Sequence, residues 1–248
     1  METTKKTHFA LHHALDRYAF PLFVALIWGV ILMGFVPEIV GKFQKNELHN
    51  PLVTHLHVAV FVGWLLLLTA QVALIRGRSV RLHRKLGIWG AFHALAVVIF
   101  GLLVSVAIQR RGIGTPHFNP AEFSFQLADV INFGCLAGAS LLLRKIPAAH
   151  KRLMLLATIC IIDPGFSRWC GDGVLRYFGN GFFGNWGFDY LGGAILIAGL
   201  GAYDLITRHR LHPAYAIGGS LALGLQLFAT YLYLSPWWKP MAIELIGH

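Results

Sequence analysis

Apolar residues fill long unbroken stretches of this chain, and polar residues are confined to short intervals between them. A helix rises ~1.5 Å per residue, so about 20 apolar residues cross the ~30 Å of hydrocarbon in a bilayer. Seven stretches fit: residues 18–40, 53–75, 86–108, 123–143, 151–169, 189–207 and 213–234. The predicted fold is an all-α membrane protein of seven transmembrane helices. Residues 1–17 are expected to form a polar cytoplasmic tail, and residues 18–248 a single transmembrane domain. The stretch from Tyr18 to Val40 is longer than a signal peptide's apolar core and no small-residue cleavage pattern follows it, so it reads as a retained span. The intervals "GKFQKNELHNP", "RRGIGTPHFNP" and "SPWWKP" carry turn residues. Within the fifth stretch, Asp163-Pro164-Gly165 predicts a kink or an end, because proline removes a backbone bond.

Composition agrees with the pattern. The chain is 56% hydrophobic and only 13% charged, against about 25% charged in a soluble domain. Its net charge of +10 needs no nucleic acid partner, since basic residues in short loops set membrane topology. On the N-terminal side of the seven spans lie Lys5, Lys6, Arg17, Arg76, Arg78, Arg81, Arg84, Lys85, Arg144, Lys145, Lys151, Arg152, Arg208 and Arg210. The other side holds Lys42, Lys45, Arg110, Arg111, Arg168, Arg176 and Lys239. This two-to-one excess predicts the N-terminus inside and the C-terminus outside. Cys135, Cys160 and Cys170 give no disulfide framework and read as small apolar filler.

Three phrases share one plan: "ALIRGRSVRLHRKLG", "SLLLRKIPAAHKRLM" and "LITRHRLHPAYAIGG". Each runs from an aliphatic helix end through basic residues and a short turn to a histidine at the next helix start. They suggest one helical hairpin used three times over spans 2–7, and they place His83, His150 and His212 alike. The interval at about 170–188 is an aromatic and glycine-rich outer loop, with six glycines between 171 and 187. It reads as an interfacial or re-entrant segment, or as a lid over an outward-facing cavity.

Ionisable residues inside a bilayer are costly, so each marks a site. His57, Trp64 and Gln71 recur every seven residues and form one stripe. An inner layer would hold His83, His150, His212, Asp204 and Gln71. An outer layer would hold His57, Gln126, Asp129, Asp163 and Arg168, with His93 between the two. Asp129, Asp163 and Arg168 are the catalytic candidates. Structural alternatives are a simple Asp163–Arg168 ion pair, a His57 bond to a carbonyl, and wet imidazoles at helix starts.

The phrases "HLHVAVFVGWLLLLTAQVALIRGRSVRLHRKLG", "HKRLMLLATICIIDPGFSR" and "YDLITRHRLHPAYAIGG" resemble a bacterial family of seven-span membrane proteins over about residues 50–220. That resemblance implies a fold and the cytoplasmic (inner) membrane of a bacterium, but no activity. "LHRKLGIWGAFHALAVVIFGLL" resembles the histidine helix of cytochrome b561-type proteins, which hold two haems b. Carried over by position, the likeness implies His83 and His150 as an inner haem pair and His57 as one outer ligand. Span 4 offers no fourth histidine.

Three functions compete at this level. The first is a haem b- or metal-binding electron carrier, with His57, His83, His93 and His150 as cofactor ligands. The second is a metal-dependent hydrolase of a lipid-soluble substrate, with His57, Asp129 and Asp163 holding zinc, iron or copper around an activated water. The third is a non-enzymatic accessory subunit, sensor or transporter. The partners implied are the lipid bilayer, a small lipid-soluble substrate or quinone, and a larger membrane complex. P-loop, dinucleotide-binding and nucleophile-elbow motifs are absent, as is HExxH. No lysine lies mid-way along the last span to hold retinal.

Overall fold

The computed structural model describes residues 9, 13–46, 50–116 and 118–247. Among them the chain is helical throughout, without strands. Helix α1 is Asp16–Gln44, α2 Leu52–Arg76 and α3 Val80–Gly112. A short turn of helix at Pro120–Glu122 leads into α4, Phe123–Leu142. Helix α5 is Pro147–Ile159, α6 Asp163–Phe166 and α7 Asp172–Phe178, the last two joined by a wide turn at Ser167–Gly171. Helices α8, Phe182–Arg208, α9, Pro213–Leu234, and α10, Trp238–Ile246, complete the chain.

Among the described residues six helices are long and apolar enough to cross a membrane: α1, α2, α3, α8, α9, and α4 with its leading turn. The fifth expected run is broken: α5 ends at Ile159, and the helical stretch beyond it, Asp163–Phe178, turns by 43°. Proline at 164 cannot donate the backbone bond that would continue α5, so the chain turns there.

The α5 helix forms the centre. Leu156, Ala157, Ile159, Cys160 and Ile162 have no exposed surface. Around them pack Ile27 and Ile31 of α1, Trp64 and Leu65 of α2, Phe133 and Leu136 of α4, and Ile197 and Leu200 of α8. Cross-helix bonds fix the register: Trp64 Nε1 donates to Thr158 Oγ1 (3.1 Å), and Trp28 Nε1 to Thr69 Oγ1 (3.0 Å). Large apolar side chains such as Leu26, Trp89, Phe92, Ile195 and Phe228 face outward, which suits a lipid-facing surface.

Two expectations need correction. The interval 170–188 is mostly helix: α7 fills its first half, and α8 begins at Phe182 rather than 189. Its glycines serve close packing more than turning. A Cβ on Gly187 would come within 2.8 Å of Val174, and one on Gly171 within 2.6 Å of Phe188. Only Gly179, at φ +72°, needs the left-handed region. The "SPWWKP" interval opens α10, which sequence periodicity missed. This helix is pinned where Trp238 Nε1 donates to the Ala121 carbonyl (3.2 Å) and Arg110 Nε to the Ile246 carbonyl (2.7 Å).

The turn between α5 and α6 is clamped by close approaches that leave no room for a Cβ. A Cβ on Gly34 would sit 2.1 Å from the Gly165 carbonyl oxygen, and one on Gly193 would sit 2.4 Å from Asp163 Oδ1. Gly34→Ala and Gly193→Ala are therefore expected to destabilise by about 1–3 kcal/mol or more, as overpacking does. Gly29→Ala, with open space at its Cβ, is expected to be neutral or stabilising. Thermal midpoints of the detergent-purified variants check this contrast.

Candidate functional site

The basic turns do gather at one end. Gln71 of α2 meets His83 of α3, His83 lies beside His150 of α5, and Arg208 at the end of α8 reaches Asp16 at the start of α1. His83 is the fourth residue of α3, His150 the fourth of α5, and His212 caps α9.

His83 and His150 lie at one depth, with ring centroids 6.4 Å apart. Their Nδ1 atoms are already engaged. The Gln71 amide, oriented so that its oxygen accepts from the Gly87 N–H (3.0 Å), donates to His83 Nδ1 (2.6 Å). The Ser140 hydroxyl donates to the His150 carbonyl (2.9 Å), which leaves His150 Nδ1–H to donate to the Ser140 carbonyl (2.9 Å). By this network His83 carries its proton on Nε2, whereas His150 carries its own on Nδ1 and leaves Nε2 bare. His93 Nε2 donates to the Val60 carbonyl (2.7 Å), and its ring stacks on Trp64. His57 stacks on Phe61 of its own helix. Among the described residues no three His, Cys, Asp or Glu side chains converge as a metal site requires, so His57, Asp129 and Asp163 are not brought together as ligands.

Behind the histidines at the basic end lies an ionic knot. Arg152, with no exposed surface, donates from Nε to Asp204 Oδ2 (2.7 Å), from Nη2 to Asp204 Oδ1, and from Nη1 to the Ala148 carbonyl (2.8 Å). Asp16 accepts from Arg208 at both oxygens (2.8 Å each), from Lys151 (2.8 Å) and from the Tyr203 hydroxyl. The Phe9 ring lies near the guanidinium groups of Arg152, Arg208 and Arg210 and against His212. Every polar group in the knot serves a structural bond.

The other polar region has the opposite character. It lies between α4, α6, α8 and α9, toward the end away from the basic turns. Asp163 opens α6 and is 2% exposed. Its Oδ2 accepts from Gln226 Nε2 of α9 (3.3 Å), while Oδ1 lies against the Gly193 backbone with no side-chain partner. Asp129 Oδ1 and Asn132 Oδ1 of α4 also lack partners, as do Gln226 Oε1, Tyr190 O–H and Trp186 Nε1–H. The acids of Asp129, Asp163 and Asp189 lie within electrostatic reach of one another and of Tyr190. Trp186, Phe125, Ala128 and Tyr190 pack together at one wall. Native proteins leave few buried polar atoms unsatisfied, so six in one region mark a place where something else completes the bonding.

Arg168 does not pair with Asp163, contrary to one sequence reading. It donates to Glu38 of α1 (2.7 Å) and to the Pro164 carbonyl (2.8 Å), over the Phe35 ring. No Lys or Arg hydrogen-bonds to Asp129, Asp163 or Asp189 among the described residues. Sequence reading found Asp129 and Asp163 by their depth. It missed Trp186, which lies in the interval 170–188 taken for a loop, and Asp189 and Tyr190, which stand at the very start of the expected span 189–207.

No known family model, curated protein or solved structure matches the chain.

Two measurements check these placements. His212 Nδ1 accepts the Ala214 N–H (3.1 Å), and burial, then the nearby Arg152, hold this imidazole below the usual histidine range. The folded state thus prefers the neutral ring. Its contribution to stability is complete above the ordinary histidine pKa and is lost as the pH falls below that value toward the folded one. His212→Ala should remove this acid-side loss and cost about 1 kcal/mol as a helix cap, read from thermal midpoints against pH. Separately, the haem reading of His83 and His150 expects a Soret band that is abolished in His150→Ala, and an absorption spectrum of the purified protein without that band would remove the role.

Proposed function

We propose that this is a proton-handling membrane protein, a carrier or relay whose working site is the acid-lined region between α4, α6, α8 and α9. The carrying observation is the set of six buried polar atoms without partners around three acids to which no cation hydrogen-bonds among the described residues. A carboxylate buried without a partner is prohibitively costly beside hydrocarbon, and a proton is the partner that needs no space. Space is what this region lacks: Asp163, Asn132, Gln226 and Tyr190 are each at most 2% exposed.

On this reading α5 and the bent segment beyond it act as one broken span, making seven. The N-terminus and the basic turns lie on the cytoplasmic side of a bacterial inner membrane, following the excess of Lys and Arg at that end. The hairpins α2–α3, α4–α5 and α8–α9 share their basic turn and histidine, which supports a repeated unit. Broken helices in membranes are tolerated where they face protein or a polar interior, and Asp163 at such a break is placed to gain and lose a proton with small movements of α6.

The test is proton flux into vesicles that contain the purified chain and a trapped pH dye, driven by an imposed membrane potential. Wild type is expected to acidify the interior, and Asp163→Asn, which keeps shape but cannot titrate, should fall to the rate of protein-free vesicles. Circular dichroism and a single gel-filtration peak confirm that the variant is folded. Wild-type flux no greater than that of protein-free vesicles would overturn the reading.

A further inference from the structure

A proton bound to Asp163 alone leaves most of the stranded oxygens around it stranded. We infer that the proton is held here together with a water molecule, as hydronium, in a cage formed by the side-chain oxygens of Asp129, Asn132, Asp163 and Gln226. This inference rests on the proton-handling reading and adds the form in which the proton is held.

Two hydrogen bonds fix which way the amides point. Asn132 Nδ2 donates to the Ala222 carbonyl (3.3 Å), and Gln226 Nε2 donates to Asp163 Oδ2 (3.3 Å). With the nitrogens spent, each amide turns its oxygen the other way, and neither Asn132 Oδ1 nor Gln226 Oε1 has a partner. Both residues have no exposed surface. Helices α4 and α9 run antiparallel: Asn132 meets Ala222, and further along, Ser124 Oγ donates to the Ala229 carbonyl (2.9 Å). In that direction Asp129 stands ~4.5 Å from Asn132 along α4, and Gln226 ~6 Å from Ala222 along α9. Steps of three and four residues stay on one helix face. Asp129 and Gln226 are therefore level, one turn from the Asn132–Ala222 bond. The Gln226 bond draws Asp163 of α6 to the same level, with its Oδ1 against the Gly193 backbone of α8.

A protonated carboxyl donates one hydrogen bond. Hydronium donates three, and it brings the positive charge that no Lys or Arg supplies to Asp129 or Asp163 by a hydrogen bond among the described residues. Transfer of one proton from hydronium to Asp163 leaves water and a carboxylic acid. The reverse step restores them, so atoms and charge balance and no other bond changes. Helix α4 carries no titratable side chain besides Asp129 between Glu122 and Cys135, and α9 carries none between Tyr215 and Tyr231. The other titratable groups within electrostatic reach are Asp189 and Tyr190 of α8 and Cys160 at the end of α5, and the cation on that side, Arg168, is held by Glu38.

The experiment follows the side-chain amides of Asn132 and Gln226 by NMR in nitrogen-15-labelled, nanodisc-embedded protein. Each signal is assigned by its loss in Asn132→Leu or Gln226→Leu. Across a pH titration both are expected to shift with one midpoint, and Asp163→Asn to abolish that shared shift. The Asn185 amide, which bonds to the Asn180 and Gly181 carbonyls, should stay still. Asn132→Leu keeps every acid and removes one acceptor. The midpoint read at Gln226 should then need about tenfold or more higher proton concentration, the worth of one hydrogen bond to a charged group. Asn132→Asp, which keeps an oxygen there, should not weaken binding in this way, and this separates lost coordination from a disturbed fold. On the acid side of the midpoint, magnetisation from water protons should reach both amides; its absence would reduce the occupant to a bare proton and overturn hydronium. Signals that respond to added sodium chloride at fixed pH, and not to pH, would assign the cage to sodium and overturn hydronium as well. A midpoint indifferent to Asn132→Leu would overturn the cage even where vesicle flux depends on Asp163. A shared titration without vesicle flux would instead overturn proton transport and leave the cage standing.

Discussion

Hydrocarbon supplies no hydrogen bonds, so every polar group carried into the bundle must be completed by the protein or by what it binds. The two polar regions resolve this constraint differently. At the basic end the chain completes itself: Arg152 spends its guanidinium on Asp204 and the Ala148 carbonyl, and Asp16 collects Arg208, Lys151 and Tyr203. Removing one partner of such a pair costs about 3–5 kcal/mol, because the other is stranded. The knot therefore ties α1, α5 and α8 into one rigid end. In the acid-lined region Asp163 is buried almost as deeply, but no Lys or Arg hydrogen-bonds to its acids among the described residues. That difference, rather than the number of polar residues, separates a fastener from a working site.

The helices carrying this contrast were legible because each long span repeats its apolar pattern over many turns. The gathering of His83, His150 and His212 at one end was legible for the same reason, since basic residues and helix starts both leave marks in sequence. What those imidazoles hold was not legible. Sequence spacing put His83 beside His150, but only three-dimensional packing shows that Gln71 and Ser140 occupy their Nδ1 atoms. Asp189 escaped because "FFGNWGF" just before it resembles a loop in composition, which put Asp189 at the edge of the expected span rather than two turns inside α8. Its Gly184 and Gly187 admit neighbouring backbone and Val174 instead, and glycine used for contact looks the same in sequence as glycine used for turning. Helix α10 escaped because nine residues are too few for a span and Pro240 lies within it.

The break at Asp163-Pro164-Gly165 links fold to site. Proline ends α5, and the freed chain lets Gly165 press on Gly34 of α1 while Asp163 presses on Gly193 of α8. Phe166 closes the same contact from below, lying where a Cβ on Gly192 would be. These approaches allow the carboxyl to lie deep between helices without a long side chain to carry it. An aspartate on an unbroken α5 would have to reach the same place across a full turn of helix. The kink thus sets the depth of the acid, and glycines on two neighbouring helices set its lateral position.

The energetic weight of the unsatisfied atoms decides how the site should be read. At about 1–3 kcal/mol for each stranded group, six of them cost on the order of 10 kcal/mol. A whole domain is stable by only about 5–15 kcal/mol. A fold cannot carry a deficit of that size as an idle defect while packing Ile27, Leu156 and Leu200 as tightly as it does. The deficit is offset by bonds to something the chain does not itself supply, held water included. Four of the six atoms are carboxyl or amide oxygens, so what enters must bring hydrogens to donate. The close packing around Asp163 leaves protons, and the water that carries them, as the visitors small enough to do so.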